Sequence, residues 1–546
     1  MPREPRTTLA VYGLLLGLWL FHMVSNAIWL KIDTRPPFWD TAGWAITSIR
    51  FSHWLATPDP LAALRGLMTE SYHPPLFNWL SAPLGLLFWP TADVFNGVQV
   101  LFLGVLLLST YHLGQKFGGR WAGLLAAAIV SMYPLVFGLS RHYLMDIALT
   151  TMVALSMWML VRTDSFDRRG ASAWYGLTLG LGLLTKSAFV IFAAGPLLVA
   201  GVRALRTRSR ARLINLGLAL VVGAAVAAPW YVINLEHNLS VLRRQVIYSQ
   251  AEGDPLVASL ASWSYYLNAL VRYQVLLPFT LFFALGLAVW LVRRRPGGGG
   301  ALLATWIGGA YLLTSLFGNK DVRYTLPYLP AVAIITALGL CLLRPAVLRR
   351  GLIVLLVLYA AFEFVGASWG LSRAMPAGTL PAHIAVRAGG INWPVYAESL
   401  HLMSPPVSQD WPVATILRQM VRLGPARPEG LSLTVLPNAP YFEPNVFMYY
   451  VLAEGLRVQP FGITGVLEVP DARARVLASD YVVAKTGDQG PAYTVQQAEV
   501  LSTELDEPSS DLGGRFEVVG VYPLPDGSIA RLYKRILRAG APGGDR

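Results

Sequence analysis

The sequence predicts a polytopic α-helical membrane protein that carries a C-terminal soluble α/β domain. Three observations predict it. Hydrophobic residues make up 54% of the 546 residues and charged residues only 14%, with a mean hydropathy of +0.49. Soluble domains are more polar and more charged than this. Apolar runs long enough to cross a bilayer recur up to about Leu371. Beyond that point the chain turns polar and rich in Pro and Gly, and no spanning run follows. The expected division is therefore a transmembrane domain over 1–371, with a first outer loop over 31–93, and an extracytoplasmic α/β domain over 372–546.

The N-terminal segment carries Arg3 and Arg6 and precedes an apolar run over 7–30. That run is longer than a signal-peptide core and ends in Ile28-Trp29-Leu30-Lys31, so it reads as an uncleaved first span. Further runs lie at 94–113, 121–139, 142–161, 172–186, 188–202, 213–233, 274–292, 300–317, 325–343 and 351–371. The run at 74–89 is short and holds Pro74, Pro75 and Pro83, and is placed at the outer interface. With it outside the count, about eleven spans remain.

The loop charges then fix an orientation. The short loops placed inside carry eighteen basic residues, among them Lys116, Arg120, Arg162, Arg208, Arg294, Arg295 and Arg350. The outer segments before the tail carry eleven, spread over longer loops. If 74–89 spanned, the bias would reverse. Positive loops stay cytoplasmic, so the N-terminus is expected inside and the tail outside. The same distribution accounts for the net charge of +13 without nucleic acid as a partner. The single cysteine, Cys341, sits in an apolar run and forms no internal disulfide.

In the tail, the runs 431–436 and 481–484 read as buried strands and 445–456 as a helix. Pro525-Asp526-Gly527 between the runs 516–522 and 528–533 reads as a hairpin turn.

With this topology, the unusual polar residues collect at the outer membrane boundary. Asp40 closes the segment Pro36-Pro37-Phe38-Trp39-Asp40, and Tyr72-His73-Pro74-Pro75-Leu76 follows some thirty residues later. Proline pairs fix backbone angles and can hold Asp40 and His73 in place. Arg141, Asp146, Lys186, Lys320, Arg323 and Tyr324 fall on the same side. Charges at a bilayer boundary are costly unless paired or used. Each residue also has a structural reading. Asp40 has the place of an N-cap, and Arg141 and Asp146 are spaced to pair with each other. Lys186 suits snorkelling to the headgroups, and Lys320, Arg323 and Tyr324 suit a solvated turn. The functional reading makes Asp40 and Asp146 catalytic and gives Tyr72, His73, Arg141, Lys186, Lys320, Arg323 and Tyr324 to substrate binding.

At these residues the chain resembles the polyprenol-phosphate-sugar glycosyltransferases of the GT-C fold. Among them it is similar to the protein O-mannosyltransferases and the lipid A aminoarabinose transferases. The resemblance rests on Arg35-Pro-Pro-Phe-Trp-Asp40, Tyr72-His-Pro-Pro-Leu-Phe77, Ser140-Arg-His-Tyr-Leu-Met-Asp146, Leu184-Thr-Lys186 and Arg323-Tyr-Thr-Leu-Pro-Tyr-Leu-Pro330. It implies a sugar donor on a polyprenyl phosphate, an acceptor in the cell envelope, and a multi-pass protein in the inner membrane among its lipids. It also implies Asp40 as the base of an inverting transfer, with cations on the departing phosphate. One departure is plain. The family's first-loop aspartate is often followed by a second acid, and here Thr41 follows. That weakens a two-carboxylate metal site. No metal-ligand spacing stands out, and the sequence commits to no cofactor; a divalent metal stays open.

Two rivals belong to other classes. A transporter would place its charges near the bilayer midplane on broken helices, whereas these lie at one boundary. A non-catalytic envelope assembly factor would tolerate loss of the Asp40 carboxylate.

Overall fold

The computed structural model describes residues 4–69, 71–293, 299–376, 378–400, 402–425, 427–463 and 468–536. Arg3, Arg294 and Arg295, all assigned to the inner side, lie outside the described residues. Glu4–Ile32 is a single 29-residue helix. Among the described residues, six helices are long and apolar enough to cross a membrane: Leu9–Ile32, Ala92–Gly118, Phe189–Arg206, Arg210–Ile233, Leu276–Arg293 and Ala346–Trp369. Four shorter apolar helices accompany them, Leu76–Leu87, Arg120–Ser131, Gly300–Ser315 and Leu326–Leu342. The chain is a multi-pass membrane protein; the number eleven rests on the loop charges. Leu76–Leu87 has 12 residues with Pro83 inside it. It is about 18 Å long at about 1.5 Å per residue, against a hydrocarbon core of about 30 Å.

Several expected boundaries shift for local reasons. The run 121–139 breaks into Arg120–Ser131 and Pro134–Leu139, because Pro134 cannot continue a hydrogen-bonded helix but suits the first turn of a new one. The run 142–161 becomes helical only at Asp146. The segment 31–93, expected as the first outer loop, is itself helical in part, with Trp39–Leu55 and Pro60–Thr69. Trp39–Leu55 is cut off from any apolar run by Arg50 and His53, so a search for hydrophobic length passes over it. It is nonetheless buried through Ala42, Ala45, Ile46, Ile49 and Phe51. Leu235–Ala251 and Leu260–Ala269 are further helices, in a segment expected on the outer side.

The bundle packs through small residues as well as large ones. A Cβ on Gly339 would overlap the backbone of Gly286. The helices Leu276–Arg293 and Leu329–Leu342 therefore meet backbone to backbone at that crossing, as membrane helices do where glycines face each other.

The tail begins with an antiparallel hairpin, β1 (His383–Ala388) and β2 (Ile391–Ala397). It continues as a five-stranded sheet of β3 (Leu431–Val435), β4 (Val458–Gly462), β5 (Tyr481–Lys485), β6 (Phe516–Pro523) and β7 (Ile529–Arg535), in the order β4-β3-β5-β7-β6. β3 runs parallel to both β4 and β5, and β6–β7 is the antiparallel hairpin around Pro525-Asp526-Gly527. Gly527 takes φ +82°, a left-handed conformation that costs glycine nothing. The helix Pro444–Glu454 starts where Glu443 caps the amides of Asn445 and Val446. The helices Val413–Leu423, Val469–Ala478 and Ala492–Asp506 complete this α/β unit.

The 31–93 segment is stitched to the tail by main-chain and side-chain bonds. Thr34 N–H donates to Val407 O at 3.1 Å, and Val407 N–H to Asp33 Oδ1 at 3.0 Å. The Trp39 indole donates to Asn438 O at 3.1 Å. The tail unit is thereby held against the irregular segment 33–38 that leads into Asp40.

Candidate active site

Asp40 stands in the first turn of Trp39–Leu55 but does not cap it. Phe38 holds the N-cap position, and no side-chain cap bond forms there. Trp39 takes φ +33°, a rare conformation for a bulky residue and one of the places where local strain gathers around sites. The carboxylate is thus aimed away from the helix amides. It accepts a hydrogen bond from Arg323 Nη2 at 3.0 Å, 283 residues away in sequence. The Asp40 side chain is 59% exposed.

Arg323 is the hub. Besides Asp40, it reaches Asp321 Oδ2 at 2.8 Å and Asp146 Oδ2 at 3.8 Å. Burial opposes its charge, but Asp321, Asp146 and Asp40 outweigh that and hold the guanidinium's affinity for its proton above the ordinary value. Asp146 opens the helix Asp146–Arg162, where the N-terminal end of the helix favours an anion. Its side chain is only 4% exposed and is also met by Lys186 Nζ at 3.3 Å. Lys186 arrives there because the preceding helix stops at Thr185 and Lys186 is extended. Its ammonium lies 5.3 Å from the centre of the Tyr324 ring. Burial raises the Tyr324 hydroxyl above its usual pKa, so it stays a hydrogen-bond donor.

His73 stands beside this network. Its ring stacks on Trp44 at 4.9 Å and meets Tyr72 edge-on at 4.7 Å. Burial, then the charges of Lys186 and His237, push its pKa down to about 3. It is therefore neutral at pH 7 and offers hydrogen bonds rather than positive charge. Tyr72 is 44% exposed, with its carbonyl 2.9 Å from His237 Nε2 and its ring 6.0 Å from the Arg244 guanidinium.

Six of the nine sequence-derived residues thus gather: Asp40, Asp146, Lys186, His73, Arg323 and Tyr324. Tyr72 borders them. Arg141 does not join Asp146. It is buried, with Nε donating to Asn26 at 3.0 Å and Nη2 to Ser368 at 2.6 Å, among the rings of Trp29, Phe137 and Phe364. Lys320 is buried too. Its Nζ donates to the carbonyls of Thr314 and Ser315 at 3.0 and 2.9 Å, and its backbone N–H is held by Asp254.

A cleft of about 740 Å³ opens beside the hub and shares Asp321 with it. Lys320, Arg272, Tyr265, Tyr273 and Asn268 also line it. Arg272 carries no distinguishing sequence motif. Arg272 lies in a short π-helical turn, Leu270–Gln274, a feature common at functional sites. Among the described residues, no group of three or more His, Cys, Asp or Glu side chains is arranged to hold a metal.

The comparisons bear on the fold first. Over 96% of its length the chain superposes on the apo structure of ArnT from Cupriavidus metallidurans, covering 98% of that chain, with a TM-score of 0.57 and 14% identity. The same protein bound to undecaprenyl phosphate gives 0.57 at 13% identity, covering 97% and 98% of the two chains. The archaeal oligosaccharyltransferase AglB of Archaeoglobus fulgidus, in complex with an inhibitory peptide and a dolichol-phosphate, gives 0.54 at 12% identity, covering 97% and 74%.

The fold is of the GT-C type.

Sequence comparison points the same way. The dolichyl-phosphate-mannose-protein mannosyltransferase family matches residues 72–233 of this GT-C-like chain. An undecaprenyl phosphate-alpha-4-amino-4-deoxy-L-arabinose arabinosyl transferase of Pectobacterium carotovorum subsp. carotovorum (strain PC1) is 29% identical over 280 residues. That match covers 47% of this chain and 48% of the relative, so it spans about half the length of the curated protein.

Proposed function

We propose that this chain is a membrane glycosyltransferase that moves a sugar from a polyprenyl-phosphate donor to an envelope acceptor at the outer face. The carrying observation is the contrast between its two central aspartates. Arg323 bridges both, but Asp40 is 59% exposed and Asp146 4%. Only Asp40 is open to an incoming hydroxyl. Asp146 is enclosed by Lys186 and Arg323, and its part is to hold those two cations in position.

The reaction balances without further components. The acceptor O–H gives its proton to Asp40 as its oxygen bonds to the anomeric carbon. The bond from that carbon to the phosphate oxygen breaks on the opposite side, and the electron pair leaves with the polyprenyl phosphate. A single displacement of this kind inverts the anomeric centre. The large cleft offers Arg272 and Lys320 to the phosphate, and charge placed there in advance stabilises the leaving group. Arg323 already carries three carboxylates, so its part is to hold Asp40 in orientation.

The donor class is supported by the match to the arabinosyl transferase and by the fold shared with ArnT. The outward orientation is supported by the loop charges. The test is mass analysis of envelope lipids, glycans and proteins from cells with and without the chain, paired with transfer by purified protein. A modification that disappears on deletion, and returns with wild type but not with Asp40→Asn, is expected. Full restoration by Asp40→Asn would favour a transporter or an assembly factor instead.

A further inference from the structure

The hairpin β1–β2 belongs to the tail by sequence but packs on the helical bundle. It shares no ladder with the five-stranded sheet. Instead β2 lies against the helices Leu276–Arg293 and Ala346–Trp369, both long and apolar enough to cross a membrane. The Tyr359 hydroxyl donates to Val395 O at 2.9 Å, and the Phe362 and Tyr396 rings meet at 4.6 Å. Tyr359 precedes Trp369, the last residue of its helix, by ten positions. At about 1.5 Å per residue, that contact lies about 15 Å short of the helix end. β2 therefore runs beside a spanning helix and not above it.

Alternation gives the hairpin two faces. On β2, Pro394 and Tyr396 are buried, and the Tyr396 ring packs directly over Gly366 of the spanning helix. The opposite face holds Ile391 and Trp393, with Ala388 paired to Ile391 and Val386 to Trp393. That face is open and apolar: Val386 is 51% exposed and Ile391 38%. An antiparallel hairpin with one side in water carries polar residues there. From Leu371 to Ala397 the chain has no Asp or Glu, and its cations are Arg373 and Arg387. The two helices that hold the hairpin expose Leu281, Leu285, Leu358 and Val365, the apolar surface that spanning helices turn to lipid. The open face adjoins that surface.

We infer that the β1–β2 hairpin is a membrane-interface anchor, with its Val386, Ile391 and Trp393 face seated in lipid at the headgroup level of the leaflet on the tail side. Its depth is bounded from both directions. A free strand edge does not lie in hydrocarbon, where its N–H and C=O groups find no partner, and β1 pairs only with β2 among the described residues. Open Val386 and Ile391 oppose a fully aqueous position. The headgroup boundary satisfies both conditions. Apolar side chains reach the acyl chains there, the strand edge meets water, and Arg387 meets lipid phosphates. Ile391 is also part of the wall of the 740 Å³ cleft. The anchor therefore sets the mouth of that cleft at the depth of lipid phosphates. None of this depends on the glycosyltransferase reading.

The test uses the full chain with Cys341→Ser and one new cysteine at a time: Val386→Cys, Leu285→Cys or Val521→Cys. Leu285 lies midway along Leu276–Arg293, and Val521 is an exposed residue of β6. Each protein carries a nitroxide and sits in nanodiscs of phosphatidylethanolamine and phosphatidylglycerol wide enough for two copies. Power-saturation EPR with oxygen and a nickel chelate reads the depth of each label. Position 386 is expected about 5–10 Å into the headgroup–acyl boundary, between the other two. Should Val386→Cys not purify, Ala388→Cys on the same face takes its place. Nickel access at 386 equal to that at 521 would overturn the anchor, and a depth equal to that at 285 would overturn its headgroup placement. Spin–spin broadening at 386 that vanishes on dilution with unlabelled protein would give the face to a second copy and overturn the proposal as well. Depth is read without turnover, so a chain that transfers nothing leaves this reading intact.

Discussion

Asp40→Asn separates catalysis from structure cleanly, because the geometry bounds its structural cost. Asp40 forms no cap bond, so no helix cap is lost. The pair it makes with Arg323 has its carboxylate 59% exposed. Exposed pairs are worth about 0–1 kcal/mol. Arg323 keeps Asp321 at 2.8 Å and Asp146 at 3.8 Å after the change. Thermal unfolding in detergent should therefore shift little. The loss of a general base is of another size, about 10²–10⁴-fold in rate, or roughly 3–5 kcal/mol at about 1.36 kcal/mol per decade. Asparagine has the shape of aspartate but cannot take the proton. The assay is single-turnover transfer by purified protein from a labelled polyprenyl-phosphate sugar that wild type accepts, with donor binding measured alongside. Binding within a few-fold and transfer lost at least about a hundredfold is expected. Transfer within a few-fold of wild type would remove Asp40 from the mechanism.

Four further outcomes follow from the same geometry. Arg323→Ala should destabilise the fold by about 1–3 kcal/mol, since Asp146 loses one partner but keeps Lys186 at 3.3 Å. Arg323→Lys should recover only part of that loss, because one ammonium cannot serve three carboxylates as a fork does; unfolding temperatures of both variants read it. Lys320→Met removes the charge and its bonds to the Thr314 and Ser315 carbonyls, so donor affinity should fall and the unfolding temperature with it, and unchanged affinity would place the phosphate elsewhere. His73 is neutral in the fold, with a pKa near 3 against 6.5 ordinarily. The unfolded chain therefore binds the extra proton, so this stability is full above pH 6.5 and is lost as pH falls from there. Between pH 6.5 and 5 the loss approaches about 2 kcal/mol, and His73→Gln should flatten it in unfolding measured at both pH values. After Cys341→Ser, a cysteine at position 387 should label from outside in intact cells and one at 208 should not; the reverse pattern would invert the topology.

The sequence by itself determined the features that local signals encode. Apolar runs and loop charges marked a multi-pass membrane protein and an expected orientation, because burial in a bilayer demands long uninterrupted apolar segments. The tail's strands at β3 and β5, its helix at Pro444–Glu454 and its β6–β7 hairpin were legible because alternation, a helical run and a Pro-Asp-Gly turn are all short-range patterns. The β1–β2 hairpin and β4 were not, since their residues are largely exposed or irregular in pattern and their strands form only against neighbours. Candidate charges were also legible, as polar residues where polarity is expensive.

Tertiary structure decided what those charges do. Nothing local tells that Arg323 meets Asp40, Asp146 and Asp321 at once, while Arg141 turns inward to Asn26 and Ser368 and Lys320 onto two carbonyls. Those choices depend on which helix ends come together across hundreds of residues. Trp39–Leu55 shows the same limit. Its Arg50 and His53 hide it from a hydropathy reading, yet packing against the helix at Pro444–Glu454 and the bundle buries its other face. A side chain's chemistry is set by its own atoms, but its partners, its solvent and hence its role are set by the packing that surrounds it.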